Sequence, residues 1–182
     1  HTLFPYPTLF RSARPPLIAL FTLTLRAGCG QQSGGDAAAV PEEIGRGTAC
    51  ALDGMLLADF PGPKAQIHYA GQAEPDFFCD TVEMFSIHLN PEQVRAVRGM
   101  FVQDMGQADW DDPRNHWIDA RQAFYVYGST RHGAMGPTIA SFAVEADANK
   151  FAADFGGKVL RFGEVTSDMA ILDGGALHDH GM

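Results

Sequence analysis

Cysteine is scarce in this chain. Three stand in 182 residues, Cys29, Cys50 and Cys79, so at most one pairing is open to them. Basic residues are few as well: 13 Lys and Arg face 22 Asp and Glu, for a net charge of −9 and a pI near 5.1. That balance argues against nucleic-acid binding as the main role. No stretch is long and apolar enough to read as a certain membrane span. A nucleophile elbow, a phosphate-binding glycine loop and a two-histidine zinc pattern are all missing, so an enzyme reading lacks support. Trp110-Asp111-Asp112 is acidic, but nothing places a second catalytic group near it. Trp117-Ile118-Asp119-Ala120 reads as a structural strand. What remains can build a core: 46% of residues are hydrophobic and 10% aromatic, in a length that suits one domain or two small ones.

The most informative segment is Cys50-Ala51-Leu52-Asp53-Gly54-Met55. A helix would rotate its thiol and thioether about 140° apart, and a strand would point them to opposite faces. A tight turn at Asp53-Gly54 brings them together, because glycine reaches positive φ without steric cost. Two soft sulfurs held by a turn suit Cu(I). A buried cysteine beside a core methionine explains the same residues, and both readings stay open at this level.

A third donor is best sought at Met135. It sits in Gly133-Ala134-Met135-Gly136-Pro137, a loop with little for a large apolar side chain to pack against. His132 precedes that loop and is a further donor candidate, although a surface-loop histidine is more often a bystander. Met84, Met100, Met105 and Met169 have core filling as their default. Cys79 lies at a helix start in Phe77-Phe78-Cys79-Asp80, where the helix end favours thiolate. It is a second ligand candidate, a disulfide partner for Cys50, or a buried thiol, with ligation ranked last.

Residues 1–12 resemble a translated sequencing adapter. The apolar run from Pro16 to Leu25 has signal-peptide size, and Ala27-Gly28 precedes Cys29 as in a lipoprotein cleavage box, with Arg26 as a departure. The expected layout is therefore an adapter-like artefact plus signal peptide over 1–28, then a lipid-anchored tether over 29–45. Cys29 is the lipid-bearing residue, and the location is periplasmic on the outer membrane. Residues 46–108 and 109–174 are expected to form two β-β-α-β-like halves, an α+β fold with mostly antiparallel sheets. Helices are predicted over 80–89, with Thr81 as a cap, and over 148–155, capped by Asp147 and ended by Gly156-Gly157. Strands are predicted at 65–70, 97–105, within 116–127, at 138–144 and at 158–162, with a short helix near 166–172. Residues 175–182 form a flexible His/Met tail.

The Cys50–Met55 motif, Ala65-Gln66-Ile67, Trp117–Arg121, Gly128-Ser129, Gly133–Pro137, Phe151…Gly156-Gly157 and Glu164-Val165-Thr166 together resemble the NosL family, lipoprotein copper chaperones of nitrous oxide reductase maturation. The resemblance spans roughly 46–172. It implies a fold distantly like the organomercurial lyase and one Cu(I) per monomer, held by Cys50 and Met55, with Met135 as the loop methionine. It implies a metal carrier and not an enzyme, serving apo nitrous oxide reductase and the NosDFY ABC-type membrane complex. The reading from a different class is a structural or redox periplasmic domain with a Cys50–Cys79 disulfide. A third is a catalyst like the lyase.

Overall fold

The computed structural model describes residues 38–172. The signal segment, Cys29, the start of the tether and the His/Met tail lie outside the described residues. No helix among the described residues is long and apolar enough to cross a membrane.

Two antiparallel sheets carry the fold. The first uses β1 (Ala65–Tyr69), β2 (Asp76–Phe78), β3 (Val97–Gln103) and β4 (Trp117–Asp119), in the order β2-β1-β3-β4. Helix α1 (Thr81–His88) lies between β2 and β3 in sequence. The second sheet uses β5 (Phe124–Tyr127), β8 (Ala140–Phe142) and β9 (Lys158–Arg161), in the order β8-β5-β9, with α2 (Glu145–Phe155) before its last strand. Between β5 and β8 a small hairpin pairs β6 (His132–Gly133) with β7 (Gly136–Pro137). The class is α+β, in two β-β-α-β units, and every described strand pair is antiparallel.

Several boundaries differ from the expected ones. Strand β2 was not anticipated, since Asp76-Phe77-Phe78 is short and directly follows Pro75. Strand β4 falls within 109–174 but hydrogen-bonds to β3, so by strand pairing it belongs to the first sheet. Asp80, not Thr81, caps α1: its carboxylate accepts from the Val82 N–H, and the Glu83 side chain reaches back to the cap, a reciprocal capping box. Thr81 instead donates its hydroxyl to the Ile139 carbonyl at 2.5 Å. Helix α2 starts three residues earlier than expected, behind Val144 with no side-chain cap, and Gly156 ends it at φ 77°.

The two units share one core. Phe85 on α1 is fully buried and meets Tyr125 on β5 edge-on, with ring centroids 5.1 Å apart, and Phe162 beyond β9 at 5.3 Å. Met84 and Met100 fill the same core. A smaller cluster under α2 joins Val126, Ala140, Phe142, Ala148 and Phe151. Tyr125 hands its buried hydroxyl to the Ala120 carbonyl at 2.6 Å, and burial pushes its pKa up. Tyr125→Phe keeps the ring and strands that carbonyl, so it is expected to cost about 1–2 kcal/mol by urea unfolding.

Candidate metal centre

The Cys50 turn is built by backbone pairing. The Cys50 N–H donates to the Met55 carbonyl at 2.8 Å, Gly54 N–H to the Cys50 carbonyl at 2.9 Å, and Ala49 bridges Leu56. Gly54 sits at φ 78°, which a side-chain-bearing residue adopts only with strain, and Asp53 Oδ1 accepts from the Met55 N–H at 2.9 Å. The turn thus sets the Cys50 and Met55 backbones side by side. A further bond, Ala51 N–H to the Phe77 carbonyl at 2.7 Å, ties it to the end of β2, immediately before Cys79.

This puts both cysteines at the first turn of α1. Cys50 and Cys79 are buried free thiols. Cys50 Sγ lies within hydrogen-bonding distance of Glu83 Oε2 at 3.2 Å, and Cys79 Sγ lies 3.5 Å from the same oxygen. That oxygen also accepts the backbone N–H of Cys79 at 3.0 Å and of Asp80 at 3.3 Å. With Asp53 on the exposed turn, Cys50, Cys79 and Glu83 offer four potential ligand atoms, all within 4.8 Å of one another. Lys64, itself fully buried, donates to the carbonyls of Pro61 at 2.9 Å and Cys79 at 3.1 Å, so it props the backbone under the thiols. Burial lowers its pKa to about 8, against the opposing charges of Asp80, Cys79 and Glu83.

The electrostatics separate the two sulfurs. A hydrogen bond from Cys79 holds the Cys50 thiol down to about 6, against the upward push of burial. The same bond, with burial, pushes Cys79 well above the ordinary thiol range. Burial, followed by the charge on Cys50, raises Glu83 to about 8. Cys50 is therefore the group that becomes a thiolate at neutral pH, and Cys79 stays protonated until something displaces its proton.

The two candidate thioethers stand on different elements. Met55 is half-buried and packs on the core cluster that contains Cys50 and Cys79. Met135 occupies the turn of the β6–β7 hairpin, half-buried, next to Ala134, which packs on that same cluster. His132 is exposed and stands outside the group of four ligand atoms; its carbonyl accepts from Trp110 Nε1 at 3.1 Å. A groove of about 450 Å³ opens beside the turn, lined in part by Glu42, Thr48, Ala51, Glu74, Asp76 and Phe77. Ala51 to Gly54 are exposed while Cys79 is sealed, so the centre lies nearest the surface on the Cys50 side.

Glu83, Asp53 and Lys64 were not recognised as members of the site. Asp80-Thr81-Val82-Glu83 does carry the capping-box spacing, the one sequence signal that places a glutamate over the helix N-terminus.

The family model for NosL matches residues 41–170. The chain belongs to the NosL family. It is 36% identical to the copper-binding lipoprotein NosL of Stutzerimonas stutzeri, over 94% of this chain and 92% of that one. It is 37% identical to the copper-binding lipoprotein NosL of Achromobacter cycloclastes, over 72% of this chain and 70% of that one. The crystal structure of the copper chaperone NosL from Shewanella denitrificans superposes with a TM-score of 0.68 at 40% identity, covering 72% of this chain and 98% of that chain. The matched residues 41–170 span both sheets and the positions of Cys50 and Cys79.

Proposed function

We propose that this NosL-family protein is a Cu(I) carrier, anchored by lipid at Cys29 to the periplasmic face of the outer membrane. It delivers copper for the centres of nitrous oxide reductase, with the apo reductase and the NosDFY complex as partners. The observation that carries the reading is the Cys50 turn: a buried thiol of lowered pKa, its backbone paired across an exposed glycine turn with that of a methionine. Its relatives are named as copper-binding lipoproteins and a copper chaperone.

In this reading Cys50 anchors the ion as thiolate, and Met55 and Met135 supply neutral thioethers. Soft sulfur donors favour Cu(I) over harder ions. Neutral thioethers bind weakly, so an acceptor's ligands displace them one at a time while the thiolate retains the ion. Such a site needs no bond chemistry in the protein, which fits a carrier and not a catalyst. Cys79 and Glu83 tune the anchor: the Cys79 thiol favours the Cys50 thiolate, and the Glu83 carboxyl shares the proton load. The rival disulfide reading requires a Cys50–Cys79 bond, and these two residues are free thiols in the structure.

The pH dependence of binding tests this. The ligand is the thiolate, so protons compete with copper only below the Cys50 pKa of about 6. Affinity in competition with a Cu(I) chelator is expected to be flat from pH 8 down to about 6, then to fall ~10-fold per pH unit. In Cys79→Ser the break moves up toward the ordinary thiol range. A wild-type affinity still climbing steeply between pH 7 and 8 contradicts a pre-formed thiolate.

A further inference from the structure

The hairpin that carries Met135 is fastened to the residue that follows Cys79. Asp80 Oδ1 accepts the Val82 N–H at 2.9 Å, which caps α1, and also the Thr138 hydroxyl at 2.6 Å, just beyond the hairpin. Its second oxygen, Oδ2, is buried without a partner. A Cβ on Gly133 would collide with that oxygen and would meet Thr138 Cβ at 3.0 Å, so the hairpin backbone presses directly on the carboxylate. From the other side, a Cβ on Gly62 would come within 2.7 Å of the Gly133 Cα. The next hydroxyl, Thr81, reaches Ile139 two residues beyond Pro137. Trp110 Nε1 holds the opposite arm through the His132 carbonyl.

Helix capping alone does not demand this arrangement. Serine, threonine or asparagine caps a helix as well as aspartate does, without enclosing a charged group that has an unpaired oxygen. An orphaned buried polar atom in a native structure calls for a reason. Here the two capping-box residues divide the site between them: Glu83 gathers the two thiols, and Asp80 receives the hairpin from the second unit.

We infer that Asp80, acting through Thr138 and Gly133, is a positioning residue that fixes the Met135 hairpin against the cysteine pair, so that the two units present one pre-formed site. That the hairpin delivers a copper ligand rests on the carrier reading above; the fastening itself does not. Pre-organising a donor spares the binding step the cost of ordering it.

Thr138→Val tests this, since it removes the hydroxyl and leaves the helix cap in place. Thr138→Ser is the conservative control that restores the bond. The full chain, labelled at its methionine methyls, is examined without metal, and Cu(I) affinity is measured by chelator competition. In Thr138→Val the Met135 methyl resonance is expected to move toward that of a solvent-exposed methionine, and in Thr138→Ser to return. Affinity is expected to fall ~10-fold in Thr138→Val, the scale of losing an outer-shell partner. Met135→Ala is expected to fall as far, and the double variant no further. An unmoved Met135 methyl in Thr138→Val overturns the inference, as do losses that multiply in the double variant. If Met135→Ala leaves affinity unchanged, the assignment of Met135 as a ligand fails, and the positioning inference is then decided by the methyl shift alone.

Discussion

Cys50→Ser is expected to lose Cu(I) affinity by more than the ~10–100-fold that removal of an outer-shell partner costs, because it removes the charged anchor itself. Serine fits the space. The position is 4% exposed, and a hydroxyl can hydrogen-bond with Glu83 Oε2, which lies 3.2 Å from the sulfur. The variant should therefore keep its thermal midpoint, and the loss will report ligation rather than folding. Cys79→Ser should lose little at pH 10, above the ordinary thiol range, where Cys50 is a thiolate with or without help, and more near pH 7, where the Cys79 hydrogen bond decides its charge. Chelator competition at both pH values separates the roles. An unchanged affinity in Cys50→Ser would remove the carrier reading from this site and leave the redox or structural domain as the better account.

Phe85→Ala is expected to be the most destabilising single change in the shared core, at about 3–5 kcal/mol. Its ring is fully buried and stands between the α1 side of the first unit and two rings of the second, Tyr125 and Phe162. Truncation leaves a cavity at the point where the units meet, so the thermal midpoint should fall by roughly 10 °C or more in one cooperative step. A loss below ~1 kcal/mol, or two separate transitions, would show that the units do not depend on a common core. The site depends on that core as well, because α1 carries Glu83 two residues before Phe85 and begins just after Cys79.

Much of the fold was legible because it follows local rules. The α1 and α2 segments have helical spacing and end near glycine or proline, and β1 and β3 show β-branched and aromatic content. The Cys50–Met55 turn was legible too, since only a turn relates two sulfurs at that spacing and Asp53-Gly54 supplies one. What escaped depends on partners distant in sequence. Three residues of β2 form a strand because β1 pairs with them, and β4 joins the first sheet because β3 offers an edge. Glu83 looks like a solvated helix residue until the Cys50 turn, 33 positions earlier, folds over it. Lys64 looks like a surface cation, yet it lies buried beneath the Cys79 carbonyl. The link between Asp80 and Thr138 spans 58 positions and leaves no periodic trace.

X-ray absorption at the copper edge of the Cu(I)-loaded full chain tests the central claim most directly. The account predicts a low-coordinate Cu(I) centre with sulfur ligands only, and the loss of a short thiolate distance in Cys50→Ser. A first shell dominated by nitrogen or oxygen, or a wild-type spectrum unchanged in Cys50→Ser, would contradict it.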